Sequence, residues 1–199
     1  FSPDKKFVLS NDLGLDKVFI YKYNPAAKNE ILTLKGSVDV KPGSGPRHLT
    51  FSKDGKFVYL VQELDGTLTT LSWDKTGSLK VVAETSILPK DFKGGTGAAA
   101  IKLSPDGNFL YVTDRVDANA ISVYKILKTG VLELVEQQST LGKGPRDFAI
   151  DPTGNYLLVG HQYTNDIVIF KRDIATGKIV DTGRRIQMCS PVGLLFTKI

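Results

Sequence analysis

One unit written four times constrains this chain more than any other feature. Residues 1–24 (FSPDKKFVLSNDLGLDKVFIYKYN), 51–74 (FSKDGKFVYLVQELDGTLTTLSWD), 103–126 (LSPDGNFLYVTDRVDANAISVYKI) and 150–173 (IDPTGNYLLVGHQYTNDIVIFKRD) align without gaps. Their starts lie 50, 52 and 47 residues apart. A fixed period of that size means a repeat architecture, in which each unit buries its apolar face against the next. The second unit shows what is repeated. Residues 47–51 are short and mostly apolar, 57–62 are β-branched and aromatic, 67–73 alternate, and 79–85 are more polar, as an exposed outer edge should be. Between them stand Ser52-Lys53-Asp54-Gly55, Leu64-Asp65-Gly66 and Lys75-Thr76-Gly77. Each is a turn in which glycine supplies the positive φ that a tight hairpin needs. The later turn recurs as Thr129-Gly130 and Thr176-Gly177. No stretch sustains a 3.6-residue period, so little helix is expected.

Four antiparallel strands in about 50 residues make one blade of a propeller. The period exceeds the roughly 40–45 residues of WD40 repeats, and Trp73-Asp74 occurs in one unit only, so that dipeptide is read as coincidence. The predicted fold is all-β: a β-propeller of four-stranded antiparallel blades, about four of them present, with residues 1–199 as a single propeller domain. The first unit starts at the turn after a first strand, without that strand. Residues 190–196 (SPVGLLF) match residues 45–51 (GPRHLTF) in register, which predicts one extra inner strand at the C-terminus. Either four blades close on themselves or they form the C-terminal part of a larger ring. The second is expected, because a four-blade ring demands a strong twist from blade to blade.

Composition removes several other classes. Hydrophobic residues are 41% and charged residues 24%, enough for a sizeable core. No apolar run approaches the roughly 18 residues of a membrane span, so no membrane partner is expected. The net charge is +5, but the 26 basic residues are scattered and form no run, which argues against a nucleic-acid partner. The single cysteine, Cys189, can form no internal disulfide, and its apolar neighbours predict a buried thiol. No HExxH, clustered His/Cys or calcium loop calls for a metal, and no GxSxG elbow or Walker loop is present. Gly94-Gly95-Thr96-Gly97 is read as a connector. No cofactor is expected.

Strand order alone assigns a functional face. The inner strand runs from one face of the ring to the other and the second strand runs back. The start of the first and the end of the second therefore share a face near the central axis, opposite the Ser-Pro-Asp-Gly turns. Starts of inner strands place Arg47, His48, Arg146 and Asp147 there; ends of second strands place Asp12, Glu63, Asp114, Arg115, His161 and Gln162. Arginines on one rim can hold an anion through paired hydrogen bonds, and a glutamate among them can act as a base. Structural roles compete. The aspartates suit turn caps, His48 and His161 suit structural histidines, and Arg47 and Arg146 in their shared Gly-Pro-Arg, with Glu63, suit inter-blade bridges. Arg115 has the weakest structural reason, because its repeat equivalents Leu13, Glu63 and Gln162 differ in chemistry.

These residues also carry a resemblance. Asp12-Leu13-Gly14, Pro42-Gly43-Ser44-Gly45-Pro46-Arg47-His48, Gln62-Glu63-Leu64, Leu103-Ser104-Pro105-Asp106-Gly107, Thr113-Asp114-Arg115 and Gly144-Pro145-Arg146-Asp147-Phe148 together resemble the lactonase family of seven-bladed propellers. That family includes cycloisomerase-type 6-phosphogluconolactonases and fungal 3-carboxymuconate lactonizing enzymes. The resemblance spans essentially the whole chain. It implies a ring of seven blades with about three missing here, and a metal-free axial site in which Glu63, Arg47 and Arg115 are catalytic and a family histidine lies before residue 1; Arg146 and His48, on the same rim, are expected to bind substrate. Asp114 departs from the family's asparagine. The implied activity is hydrolysis of a sugar lactone such as 6-phosphogluconolactone, with a small anionic lactone as partner and the cytoplasm as location. A muconate-type cycloisomerase and a non-catalytic binding scaffold are the alternatives.

Overall fold

The computed structural model describes residues 1–197, and among them it contains fifteen β-strands and no helix. Blade one comprises β1 (Phe7–Asp12), β2 (Lys17–Tyr23) and β3 (Leu32–Asp39). Blade two comprises β4 (Pro46–Phe51), β5 (Phe57–Gln62), β6 (Thr67–Asp74) and β7 (Ser78–Ser86). Blade three comprises β8 (Ala98–Leu103), β9 (Phe109–Asp114), β10 (Ala120–Ile126) and β11 (Leu132–Ser139), and blade four comprises β12 (Pro145–Ile150), β13 (Tyr156–His161), β14 (Asp166–Arg172) and β15 (Ile179–Gln187). Every strand pairs antiparallel with its chain neighbour, giving one three-stranded and three four-stranded sheets. The predicted strand boundaries agree within a residue or so, and blade one lacks its inner strand as its sequence indicates.

The repeated turn after the inner strand is held by its own side chains. The hydroxyls of Ser2, Ser52 and Ser104 each donate to the aspartate two residues on, at 2.7 Å. The same hydroxyls accept the amides of Phe7, Phe57 and Phe109 at 3.0 Å. In blade four Asp151 replaces serine and accepts the Tyr156 amide directly at 2.7 Å. The second strand is thereby aligned before any long-range contact forms.

Blades are joined by an offset contact. Phe7, Phe57 and Phe109 open the second strands of blades one to three. Each ring lies beneath the outer-turn glycine of the following blade: Gly77, Gly130 and Gly177. A Cβ on these glycines would fall 2.6, 2.5 and 2.3 Å from the ring. All three also have positive φ. The Tyr59 and Tyr111 hydroxyls donate to the Gly130 and Gly177 carbonyls at 3.3 and 2.6 Å. Blade one has Leu9 in that position, and the Gly77 carbonyl accepts from Lys35 instead. The apolar core accordingly falls into three clusters, one per interface between blades. Tyr156, fourth in the aromatic series, is 45% exposed on the open face of blade four, beside a groove lined by Leu158, Ile169 and Phe196.

One slot in this interface takes two solutions. Between blades one and two, Trp73 stands edge-on to Phe7 and Phe51, with centroids 5.5 Å apart in both pairs. Between blades three and four, Arg172 occupies the repeat position of Trp73. It lies over the Phe109 ring and donates to Tyr111 Oη (2.6 Å), the Gly154 carbonyl (3.0 Å) and Asp106 Oδ2 (2.8 Å). It is 2% exposed, and its charge is tolerated only because the whole fork is paired.

Two expectations are corrected. Residues 190–196 lie where an inner strand would start, but no described strand pairs with them and they form none. They are held from the side, by the Ser190 amide on Asn165 Oδ1 (2.9 Å) and the Leu194 amide on Asp147 Oδ2 (2.8 Å). Cys189 is exposed, because it follows the outermost strand and leaves the sheet. The glycine–aromatic contact makes a direct prediction: Gly177→Ala should destabilise the protein by about 2–4 kcal/mol, from overpacking plus the left-handed backbone penalty. Urea unfolding of the variant against the parent measures it, and Gly36→Ala, where nothing lies within 4 Å of the new methyl, is the control.

Candidate active site

The rim assigned from strand order is assembled in three dimensions. β4 starts and β5 ends there, their register set by Pro46 opposite Gln62, with a bulge at Arg47. The Glu63 amide donates to the Gly45 carbonyl at 2.7 Å, so Glu63 follows β5 at a fixed position. Arg47 Nε then meets Glu63 Oε2 at 2.9 Å. The other carboxylate oxygen, Oε1, accepts from Arg115 of blade three. Glu63 therefore bridges two guanidinium groups from adjacent blades, and all three side chains are less than one-fifth exposed. Arg47 also donates across the blade boundary to the Ala99 carbonyl. Burial lowers the Arg47 pKa; Glu63 opposes this, and the like charges of Arg115 and Arg146 reinforce it.

His48 is exposed beside Arg47, with Nδ1 3.0 Å from the guanidinium. Partial desolvation and then the Arg47 charge push its pKa down, so it stands as a neutral acceptor at pH 7. Arg146 is half-buried at the start of β12 and makes no hydrogen bond or ion pair among the described residues. Asp147, next to it, turns to Lys102 Nζ at 2.8 Å. Asp12 and Asp114 serve backbone. Asp12 caps the amides of Gly14 and Leu15, while Asp114 holds the Thr96 hydroxyl and the amides of Gly97 and Val116.

Sequence reasoning missed Asn11. Its amide donates to the Arg47 carbonyl at 2.7 Å and ties the rim arginine to blade one. A polar residue at a position where blade two has Val61 was the only available signal. Asn11 Oδ1, Arg115 Nε, Gln162 Oε1 and both ring nitrogens of His161 are buried polar atoms without a hydrogen-bond partner among the described residues. The arrangement offers fixed donors for an anion or a developing oxyanion, and one carboxylate that can exchange a proton.

A family model described as Lactonase, 7-bladed beta-propeller, matches residues 1–196, and the chain belongs to that family. It is 40% identical over 182 residues to a 6-phosphogluconolactonase of Formosa agariphila, a match covering 90% of this chain and 51% of that protein. It is 34% identical over 198 residues to a 6-phosphogluconolactonase of Bacillus subtilis, covering 98% of this chain and 55% of that protein. The solved structure of a periplasmic gluconolactonase from Pseudomonas aeruginosa superposes with a TM-score of 0.95 at 38% identity, over 99% of this chain and 55% of the other. The chain thus spans about half the length of the curated relatives it matches.

His161 lies behind the rim rather than on it. It is fully buried, closed over by Gly142, where a Cβ would fall 2.4 Å from the ring, and its Nδ1 lies 3.2 Å from Asp166 Oδ1. Burial pushes its pKa below the ordinary 6.5; the Asp166 carboxylate opposes this and does not overcome it. A histidine harder to protonate when folded contributes stability above about pH 6.5, and this is lost as the pH falls through that value toward the lower folded one. His161→Gln should flatten the pH dependence of unfolding free energy below pH 6.5, so its loss of stability relative to the parent should be greatest near pH 8 and shrink as the pH falls. Denaturant titrations at stepped pH values measure the slope.

Proposed function

We propose that the intact protein containing this chain hydrolyses a sugar lactone, 6-phosphogluconolactone being the best candidate, and so supplies 6-phosphogluconate to the pentose phosphate pathway. The observation that carries this reading is Glu63 held between Arg47 and Arg115 at the axial rim. The names of the two bacterial relatives support it. Location in the cytoplasm belongs to the same proposal.

The chemistry needs nothing beyond water. Glu63 takes a proton from a water molecule as the oxygen adds to the lactone carbonyl carbon. The oxyanion that develops faces Arg47 and Arg115, whose positions are fixed by their shared carboxylate, so little reorganisation is required as charge builds. Collapse of the tetrahedral intermediate breaks the bond to the ring oxygen, and the proton held by Glu63 passes to that oxygen as it leaves as a hydroxyl. His48, as a neutral acceptor beside Arg47, can receive a sugar hydroxyl.

The same contacts join two blades, so activity and stability must be measured together. Glu63→Gln keeps the shape and removes the base; turnover should fall about 10²- to 10⁴-fold. Arg115→Ala should lower kcat about 10²-fold or more by removing an oxyanion donor. Both rates are read by acid release from the lactone, with unfolding curves taken in parallel. Full turnover in the double variant would remove these residues from the mechanism. Absence of turnover in the parent on every lactone tried would favour a binding role for the rim.

A further inference from the structure

Blade four repeats the arginine–acid arrangement of blade two with one change. Arg47 and Glu63 lie 16 residues apart, and so do Arg146 and Gln162. The backbone matches as well. Pro46 pairs with Gln62 across a bulge, and Pro145 pairs with His161 across a bulge at the same place. The Glu63 amide donates to Gly45 at 2.7 Å, and the Gln162 amide donates to Gly144 at 2.9 Å. The pair in blade four is therefore built like the pair in blade two, but a neutral amide stands where the carboxylate should be. Arg146 has lost its counter-ion.

Among the described residues no other carboxylate replaces it. Both oxygens of Glu63 are taken by Arg47 and Arg115. Asp147 is occupied by Lys102 and by the Leu194 amide. Among the described residues, Glu63 is the one carboxylate in contact with the three rim guanidinium groups, and it meets only Arg47 and Arg115, which leaves an excess of two positive charges. Gln162 Oε1 is buried without a partner, and Arg146 has none among the described residues. Holding an unpaired guanidinium near two others is unfavourable unless an anion arrives to offset it. A phosphate monoester at neutral pH carries about two negative charges and suits an arginine fork.

We propose that Arg146, left uncompensated by the glutamine at position 162, is the residue that reads a phosphate on the substrate, and that the substitution of Gln162 for a second glutamate sets the preference for phosphorylated over neutral lactones. This rests on the lactonase reading of the same rim. It divides the site into a reaction centre on blades two and three and an anion-reading arm on blade four.

Gln162→Glu is the sharpest test, because it should recreate the Arg47–Glu63 pair and neutralise Arg146. The intact protein is assayed with 6-phosphogluconolactone and with glucono-lactone. Binding of 6-phosphogluconate and of gluconate is measured by calorimetry. The ratio of kcat/KM for the phosphorylated over the neutral lactone should fall at least tenfold, mainly through KM. Affinity for 6-phosphogluconate should fall by a similar factor, with gluconate little affected; Arg146→Gln should do the same. An unchanged ratio, with turnover retained, overturns the role of Arg146 and leaves the lactonase reading intact. Equal losses on both substrates accompanied by a lower melting temperature also overturn it, since they mark a structural arginine. If the parent turns over neither lactone but its preference for 6-phosphogluconate is lost in Gln162→Glu, the anion site stands and the lactonase reading fails.

Discussion

A four-stranded blade has two broad faces and can cover neither alone. Everything else in this chain follows from how one blade closes the face of the next. The aromatic residue that opens a second strand lies beneath a glycine in the outer turn of the following blade, and any side chain there would enter the ring. This contact fixes the offset between blades and makes the Thr-Gly turns indispensable. It also brings the ends of β5 and β9 close enough for Glu63 to reach Arg115. The charged rim is thus a consequence of stacking, since no single blade holds Arg47, Glu63 and Arg115 together.

Much of this was legible in the sequence because it is local and repeated. Strand boundaries were readable because glycine turns bracket β-branched runs, as around Phe57–Gln62. The gathering of Arg47, Glu63 and Arg115 on one face was readable because antiparallel order forces strand starts and ends onto fixed sides. The bridge from Glu63 to Arg115 was only partly readable. Both were placed on the rim, but which charges would touch depends on the twist between blades. Arg172 was invisible. The gapless sequence alignment sets it beside Tyr23, Trp73 and Lys125, but blade three has one extra residue between β9 and β10, so Ile126 rather than Lys125 fills that slot in the structure, and only the neighbouring blade reveals that Arg172 is a buried, fully paired cation. Residues 190–196 failed for a related reason. Their pattern is that of an inner strand, but a strand exists only with a hydrogen-bonding partner.

The connections between blades show how a repeat gains a loop without losing its register. Asp16, Asn119 and Asn165 occupy left-handed backbone in the turn between second and third strands. Each accepts amides from the segment entering the next blade: Gly43 and Gly45, Gly144, and Ser190. In blade two the corresponding residue is Gly66, which has no side chain to offer. There the longer connection through residues 87–97 is secured instead from blade three, by Asp114 and Asp117. That loop packs against Val116 beside Arg115, so the one connection freed from the shared cap borders the site.

The offset contact is also directional. Blades two and three present an aromatic ring on one side and a glycine turn on the other, so the contact is never made between two like surfaces. In the terms used for oligomers, blades associate head to tail. Such a contact has no internal stopping point; it ends only when the rotation per blade brings the last face round to the first. Tyr156, exposed at one end of this series, stands where Phe7, Phe57 and Phe109 stand in the other blades. Any blade stacked on it through a turn glycine would inherit the same geometry, the same register and the same angular step.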